Sequence, residues 1–545
     1  MNSASPLLRI VIAQTNPCVG DITGNLEDIE QHYLRACSEA ADIIVFPELA
    51  ITGYDTEDLT LRPAFHEAAV AAVKQLARLT FNTSTALIVG TIWQENGQCF
   101  NAGIMLYEGD IYERIFKYSL PNYGVFDEHR VFVPGPLPSA IEFKNCKIGL
   151  LICEDLWEND VPSHYASQGV ELLICINASP FEVDKKPQRL DRAIEAVTIV
   201  DAPLIYVNSV GAQDELVFDG QSFVLSINEE VNFQLAAFEP DYASILLHHK
   251  QGCWQLGPAR PFQEEEGLAQ TYRALQIGLR DYVEKNNFKS VVLGLSGGID
   301  SAFVAVLAVD ALGSDRVHCV TMPSPYTANE TLQDSLELAQ NLGCRIDTIP
   351  IHPLFEGFQQ QLAPIFRDVK SDVTEENMQS RIRGLLLMSI SNKFGSLVLA
   401  TGNKSEMATG YSTLYGDMCG GFAPIKDVYK TEIYTLSTWR NRQTPIIPES
   451  IIARAPTAEL RPNQTDQDTL PPYHLLDKIL YGMIEENFSS DELIAAGFDR
   501  AMVHLVAKLL CSSEYKRYQA PPGTKISCRA FGKDWRYPLT NHFRF

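Results

Sequence analysis

One six-residue turn and three separated side chains in this sequence are of types that could do chemistry. The turn is Ser296-Gly297-Gly298-Ile299-Asp300-Ser301. It follows the apolar run Val291-Val292-Leu293-Gly294-Leu295 and leads into a helix-like stretch, 302–312. A strand, a tight turn and a helix N-terminus leave backbone N–H groups unpaired at the positive end of a helix dipole, which is an anion site. Gly297 and Gly298 let the backbone approach a phosphate with no Cβ in the way. Ser296 and Ser301 add hydroxyl donors. Asp300 is wrong for a bare phosphate and right for a magnesium-bound one. The turn lacks the Gly-Lys pair of the common triphosphate loop, which excludes that class. In the first half, Glu48 follows an apolar run, Lys117 follows a hairpin, and Cys153 closes the run Ile148-Gly149-Leu150-Leu151-Ile152. A carboxylate at a strand end lies at the mouth of a sheet, where α/β active sites collect. A helix start after Cys153 and a nearby ammonium would lower the thiol toward thiolate. Taken singly, Glu48 reads as readily as a solvated loop glutamate, Lys117 alone is more often a surface lysine, and Cys153 alone is more often an inert buried thiol.

Alternating elements must position these groups. In the first half, 8–14, 42–46, 86–93, 172–176, 202–209 and 222–227 read as strands, and 25–41 and 63–79 as helices. Residues 105–107 and 111–116 bracket Glu108-Gly109-Asp110 as a hairpin. In the second half, 270–284 and 329–342 read as helices, and a long helix opens near Glu376. The runs 317–322, 345–351 and 397–400 read as strands. This alternation predicts an α/β protein with a doubly wound parallel sheet in its second half. Between the halves, 252–267 is irregular and carries Gly257-Pro258, Pro261 and three consecutive glutamates. The expected division is 1–256, a linker at 257–267, and 268–545.

A chain of 545 residues is too long for one core, so two domains are expected. The net charge of -24 argues against a nucleic-acid or anionic-membrane partner. Any anionic substrate must meet locally placed lysine and arginine. The 12 cysteines form no CxxC pair, so neither a zinc ribbon nor a thioredoxin-type site is expected. Residues 7–13 are too short for a signal peptide and no apolar run reaches membrane-span length, so a cytoplasmic location is expected.

Glu48, Lys117 and Cys153 occur in the order and local contexts of the nitrilase-type carbon–nitrogen hydrolases, over roughly residues 7–250. The resemblance implies a four-layer αββα sandwich. It implies that Cys153 is the nucleophile, Glu48 the general base and Lys117 the oxyanion stabiliser, with Glu128 orienting Lys117. Hydrolysis of an amide uses those types: a thiolate, a proton shuttle to departing ammonia, and a cation at the oxyanion. In glutaminase members the matching positions Tyr54, Tyr123, Ser179 and Lys185 would grip glutamine.

The turn at 296–301 resembles the pyrophosphate loop of the ATP pyrophosphatases, which adenylate a substrate. With Glu376-Asn377, Arg381-Ile382-Arg383, Thr401-Gly402-Asn403-Lys404-Ser405-Glu406, Asp417, Lys430, Arg454-Ala455-Pro456-Thr457 and Lys516, residues 268–545 resemble the NAD synthetases within that group. The resemblance assigns Asp300 and Glu406 to magnesium. It assigns Ser296, Gly297, Gly298, Ile299, Asp300, Ser301, Thr401, Lys430 and Thr457 to ATP, and Asn377, Arg381, Asp417 and Lys516 to deamido-NAD. A homo-oligomer built on a dimer of this domain is expected by resemblance alone.

Together the halves resemble the glutamine-dependent NAD synthetases: one releases ammonia, the other consumes an amine. Free ammonia is mostly protonated near neutral pH and then is no nucleophile, so a closed route between the sites is expected. Two other readings stay open on sequence: an amidotransferase with another adenylated acceptor, and a scaffold in which one site has decayed.

Overall fold

The computed structural model describes residues 7–250, 253–257, 262, 267–462 and 464–543. The chain divides into two compact units, Met1–Glu265 and Glu266–Phe545. The expected linker at 257–267 falls mostly outside the described residues.

In the first unit the strands are β1 (Leu7–Gln14), β2 (Ile43–Val45), β3 (Ala86–Glu95), β4 (Gln98–Tyr107), β5 (Asp110–Phe116), β6 (Ile141–Phe143), β7 (Cys146–Ile152), β8 (Leu172–Asn177), β9 (Leu204–Asn208), β10 (Val210–Gln213), β11 (Leu216–Asp219), β12 (Phe223–Leu225), β13 (Val231–Gln234), β14 (Asp241–Lys250) and β15 (Cys253–Leu256). The helices are α1 (Ile22–Ser38), α2 (Pro63–Leu79), α3 (Asp160–Gln168) and α4 (Lys185–Val200). β10 and β11 pair antiparallel in a separate two-stranded sheet, while one large sheet runs β15-β14-β1-β2-β3-β4-β5 and the other β13-β12-β9-β8-β7-β6. Their inner faces share one core: Leu8, Ile10 and Ile12 of β1 meet Ile148, Leu150 and Ile152 of β7 and Ile174 and Ile176 of β8. The intervening residues point outward, as a period of two requires. Val11 and Ala13 pack under Leu26, Ile29 and Tyr33 of α1 and Val73 and Leu76 of α2. Leu151, Leu173 and Cys175 pack under Val161 and Tyr165 of α3 and Ala193 and Val197 of α4. This is the expected αββα sandwich.

The second unit is built on β16 (Val291–Gly294), β17 (Val317–Thr321), β18 (Arg345–Thr348) and β19 (Leu397–Leu399), ordered β18-β17-β16-β19. Every pair is parallel. Around it lie α5 (Gly267–Lys285), α6 (Ile299–Leu312), α7 (Asn329–Leu342), α8 (His352–Leu362), α9 (Val373–Phe394), α10 (Lys404–Thr409) and α11 (Lys430–Gln443). The sheet's strand order reverses between β16 and β19, and such a switch point opens a crevice at the strands' carboxyl ends. The turn 296–301 leaves β16 there, and 400–403 leaves β19. β18 stops at Thr348, three residues short of expectation, and His352-Pro353 opens α8 with proline in its first turn. A C-terminal helical layer follows: α12 (Glu449–Ala453), α13 (Tyr473–Ile484), α14 (Ser490–Ala495), α15 (Arg500–Ser512) and α16 (Glu514–Arg517). Leu476, Ile479, Leu480, Val503 and Leu510 form its core.

Candidate active sites

In the first unit, Glu48 leaves β2 on a segment pressed against β3. A Cβ on Gly90 would lie 2.3 Å from Leu49 N and 2.6 Å from the Pro47 carbonyl oxygen, so the approach requires glycine. Glu48 Oε1 accepts from Lys117 Nζ at 2.8 Å and from Asn101 Nδ2 at 2.7 Å. Its Oε2 accepts from Ala178 N at 2.9 Å. Lys117, just past β5, also donates to Glu128 Oε1 at 2.8 Å, and Tyr54 OH donates to the same oxygen at 3.0 Å. The Glu48 and Lys117 side chains are fully buried. Burial would push the Lys117 ammonium down, but Glu128 and Glu48 overcome it and hold the group well above the usual lysine range. Burial pushes Glu128 up to about 7, against the pull of Lys117.

Cys153 follows β7 with φ 47°, a left-handed conformation uncommon for a residue with a side chain. It opens a four-residue 3-10 turn, Cys153–Leu156, rather than an α-helix. Asp155 fixes that turn. Its Oδ2 accepts from Ile152 N at 3.1 Å, and its Oδ1 accepts from Tyr118 N at 3.0 Å and Ser119 N at 2.8 Å. The cysteine turn is thereby tied to the chain just after Lys117. The expected low thiol pKa is corrected here. Burial first, and Glu48 second, push the Cys153 thiol well above the ordinary value, and the pull of Lys117 does not reverse this.

Among the four residues expected to grip glutamine, Tyr54 is buried against Glu128. Tyr123 is 56 % exposed and donates to Glu154 Oε1 at 3.1 Å. Ser179 follows the Ala178 amide that holds Glu48, and its hydroxyl accepts from Arg189 Nη2 at 3.3 Å. Lys185 starts α4, with Nζ 3.6 Å from Glu182 Oε1.

In the second unit, a cleft of about 650 Å³ opens at the carboxyl ends of the strands. Every expected ATP, deamido-NAD and metal residue lines it except Arg381. At 100° per residue, Asn377, Ser380, Arg383, Gly384 and Leu387 form one stripe of α9, and Arg381 falls outside it. Arg381 is exposed, its Nε donating to the Leu414 carbonyl at 3.2 Å. Arg383 takes the place in the cleft instead. Its Nε donates to the Met322 carbonyl at 3.1 Å. Burial pushes its guanidinium down to about 10, against the pull of Glu459 and Asp417.

Asp300, in the first turn of α6, accepts from Asn403 Nδ2 at 2.9 Å and from Lys430 Nζ. Asn403 caps α10 and so places Glu406, whose Oε1 is 3.6 Å from Lys430 Nζ. Burial, with Asp300 adding, pushes Glu406 up to about 8. Thr457 Oγ1 donates to the Gln464 carbonyl at 2.7 Å. Asp417 Oδ1 accepts from Thr413 N at 2.6 Å, and Thr413 Oγ1 donates to Asn377 at 2.8 Å. Lys516 Nζ donates to the Gly410 and Ser412 carbonyls, both at 2.7 Å.

The carbon-nitrogen hydrolase family matches residues 9–246, and the NAD synthase family matches residues 271–520. The glutamine-dependent NAD(+) synthetase of Rhodobacter capsulatus is 44% identical over 545 residues, covering 98% of this chain and 99% of its own. That of Xanthomonas campestris pv. campestris is 45% identical over 543 residues, 98% of each chain. The chain belongs to the glutamine-dependent NAD(+) synthetases. A solved structure of the glutamine-dependent NAD+ synthetase from Acinetobacter baumannii, in complex with adenosine diphosphate, is 40% identical with a TM-score of 0.79. It covers 98% of this chain and 99% of its own.

In this synthetase several residues of both sites went unread in the sequence. Ala178 acts through a backbone N–H, which no side-chain pattern signals. Asn101 lies within β4 with no motif around it. Asp155 stands two residues after Cys153 and could have been found as the polar anchor of a turn. Arg454, which the sequence shows only as part of the run Arg454-Ala455-Pro456-Thr457, donates Nη1 to the Gly297 carbonyl at 3.2 Å and so braces the 296–301 turn.

Proposed function

We infer that this chain makes NAD by amidating adenylated deamido-NAD with ammonia released from glutamine, yielding AMP, pyrophosphate and glutamate. It is a ligase that forms a carbon–nitrogen bond with glutamine as amide donor and ATP as co-substrate. The observation that carries the reading is that one chain holds a buried Glu48–Lys117–Cys153 set and a phosphate turn with two carboxylates beside it.

In the first unit, the Cys153 sulfur attacks the carboxamide carbon of glutamine while its proton passes to Glu48. Lys117 faces the oxygen that gains charge, held in place by Glu128 and Tyr54. Glu48 returns the proton to the departing ammonia, leaving a thioester. Glu48 then takes a proton from the water that hydrolyses it. Tyr123, Ser179 and Lys185 would hold the amino-acid end of the substrate.

In the second unit, the nicotinate carboxylate attacks the α-phosphorus of ATP and pyrophosphate leaves. Ammonia then attacks the acyl carbon and AMP leaves. The backbone N–H groups and hydroxyls of 296–301, with Thr401, Lys430 and Thr457, would bind the phosphates and nucleotide. Asn377, Asp417 and Lys516 line the space left for deamido-NAD, and Arg381 would reach it only by turning from the exposed face of α9. Asp300 and Glu406 fit magnesium. They are two oxygen donors converging on Lys430 beside the 296–301 turn. The ion would neutralise charge on the phosphates. A cytoplasmic location belongs to the same reading. Among the described residues no helix is long and apolar enough to cross a membrane. So does a homo-oligomer built on the second unit, where exposed Ile365, Val369 and Val373 support an apolar contact. A monomer in solution would contradict it.

The test is Cys153→Ala. NAD formation with glutamine should fall by about three orders of magnitude. Formation with saturating ammonia should stay within about twofold of wild type, since Cys153 serves only to make ammonia. Retained use of glutamine would remove Cys153 from its role.

A further inference from the structure

Asp466 carries a buried charge that the reaction steps above leave without a role. It stands in the 3-10 turn Asp466–Asp468 and lines the synthetase cleft. It is only 4 % exposed. Its Oδ2 accepts from Tyr473 OH at 2.9 Å. Its Oδ1 is buried with no hydrogen-bond partner among the described residues. A buried carboxylate oxygen left without a donor is costly, and such atoms call for a specific explanation.

Lys430 supplies one. Its ammonium lies 5.3 Å over the ring of Tyr473, the same residue whose hydroxyl holds Asp466. It is bonded to Asp300 and 3.6 Å from Glu406, with Asp466 within electrostatic reach. Each Asp300 oxygen thus carries one donor, Asn403 on one and Lys430 on the other. The ammonium on Asp300 repels a cation approaching the same carboxylate, so the lysine and the ion compete for it. Three carboxyl groups thus surround one ammonium, an excess of acidic groups that a divalent cation would offset. Among the described residues no three of His, Cys, Asp and Glu are grouped to hold a metal.

We propose that Asp466 is a positioning residue that receives the Lys430 ammonium when Asp300 and Glu406 turn to a metal-bound phosphate. The flexible four-carbon stem of lysine makes the transfer a rotamer change onto Oδ1, beside the Tyr411 and Tyr473 hydroxyls that face the same carboxylate. Without Asp466 the ammonium stays on Asp300 and competes with the cation. The proposal rests on the magnesium reading above.

The experiment is calorimetric binding of ADP to the full chain across a magnesium titration. For Asp466→Asn the half-saturating magnesium should rise about tenfold or more, while ADP binding in chelator stays within about twofold. Asp466→Glu should restore the wild-type value. In a Lys430→Met background, Asp466→Asn should shift the magnesium requirement no further, because the competitor is gone. Should Asp466→Asn not fold, Lys430→Met alone decides. It should lower the half-saturating magnesium several-fold whatever it does to ADP affinity, and a rise would overturn the proposal. An unchanged or lowered requirement in a folded Asp466→Asn would overturn it too, as would an equal shift with Lys430 absent. Wild-type ADP binding that ignores magnesium would instead overturn the magnesium reading itself.

Discussion

Cys153 is a thiol in the resting protein, and that has a measurable consequence. Its folded pKa lies well above the ordinary value because burial and Glu48 both disfavour the anion. Below that pKa the thiolate fraction grows about tenfold per pH unit. The iodoacetamide reaction of Cys153, taken as wild type minus Cys153→Ala, should therefore climb through pH 7 to 9 without levelling. A plateau below pH 7 would mean a preformed thiolate and would contradict the buried thiol. On the proposed reading Glu48, hydrogen-bonded beside Lys117, would take the thiol proton as the nucleophile forms. Asp300 poses the matching question in the second unit. Asp300→Asn keeps the side chain's shape and removes its charge. NAD synthesis with either nitrogen source should fall by about two orders of magnitude or more, since both need the adenylate. Glutamine hydrolysis at Cys153 should remain measurable. Near-normal synthesis at ordinary magnesium would return Asp300 to a plain helix N-terminal residue.

At the scale of elements, the catalytic groups of the first unit are held by close backbone approaches more than by their own helices or strands. Gly90 is the sharpest case. Gly90→Ala must displace the Pro47–Leu49 backbone or β3, at a cost of about 1–3 kcal/mol in stability. Glutamine-supported synthesis should drop at least tenfold while ammonia-supported synthesis holds. Equal rates with both nitrogen sources would show that Glu48 tolerates the shift. Such approaches explain what the sequence hides. The helix Pro63–Leu79 was legible because proline opens it, and Asn329–Leu342 because Gly343 closes it at φ 66°. The buried parallel strands were legible as short β-branched runs. The 3-10 turn after Cys153 was not, because Cys-Glu-Asp-Leu reads as well as a helix start. Nor was the choice between Arg381 and Arg383, since two residues of spacing place both near a stripe whose edge only packing defines.

At the scale of the whole molecule, the two units bring complementary chemistry to one chain. Unit one brings together a thiol, a carboxylate and an ammonium, the groups that the proposed splitting of an amide would use. Unit two offers an anion-binding turn and a cleft large enough for nucleotides. The motifs at 48, 117, 153 and 296–301 made this pairing legible in sequence, because each fixes chemistry with few residues. The supporting network was not legible. Asn101, Asp155, Asp466 and the Ala178 amide act across separations that only the fold closes. The central claim is that nitrogen passes from the glutamine side chain to NAD, and one measurement bears on it most directly. The purified chain is incubated with ATP, magnesium, deamido-NAD and glutamine labelled with nitrogen-15 in its side-chain amide, and the products are read by mass spectrometry. The account predicts NAD carrying the label in its carboxamide, with AMP, pyrophosphate and glutamate formed in step. No NAD, or NAD without the label, would contradict it.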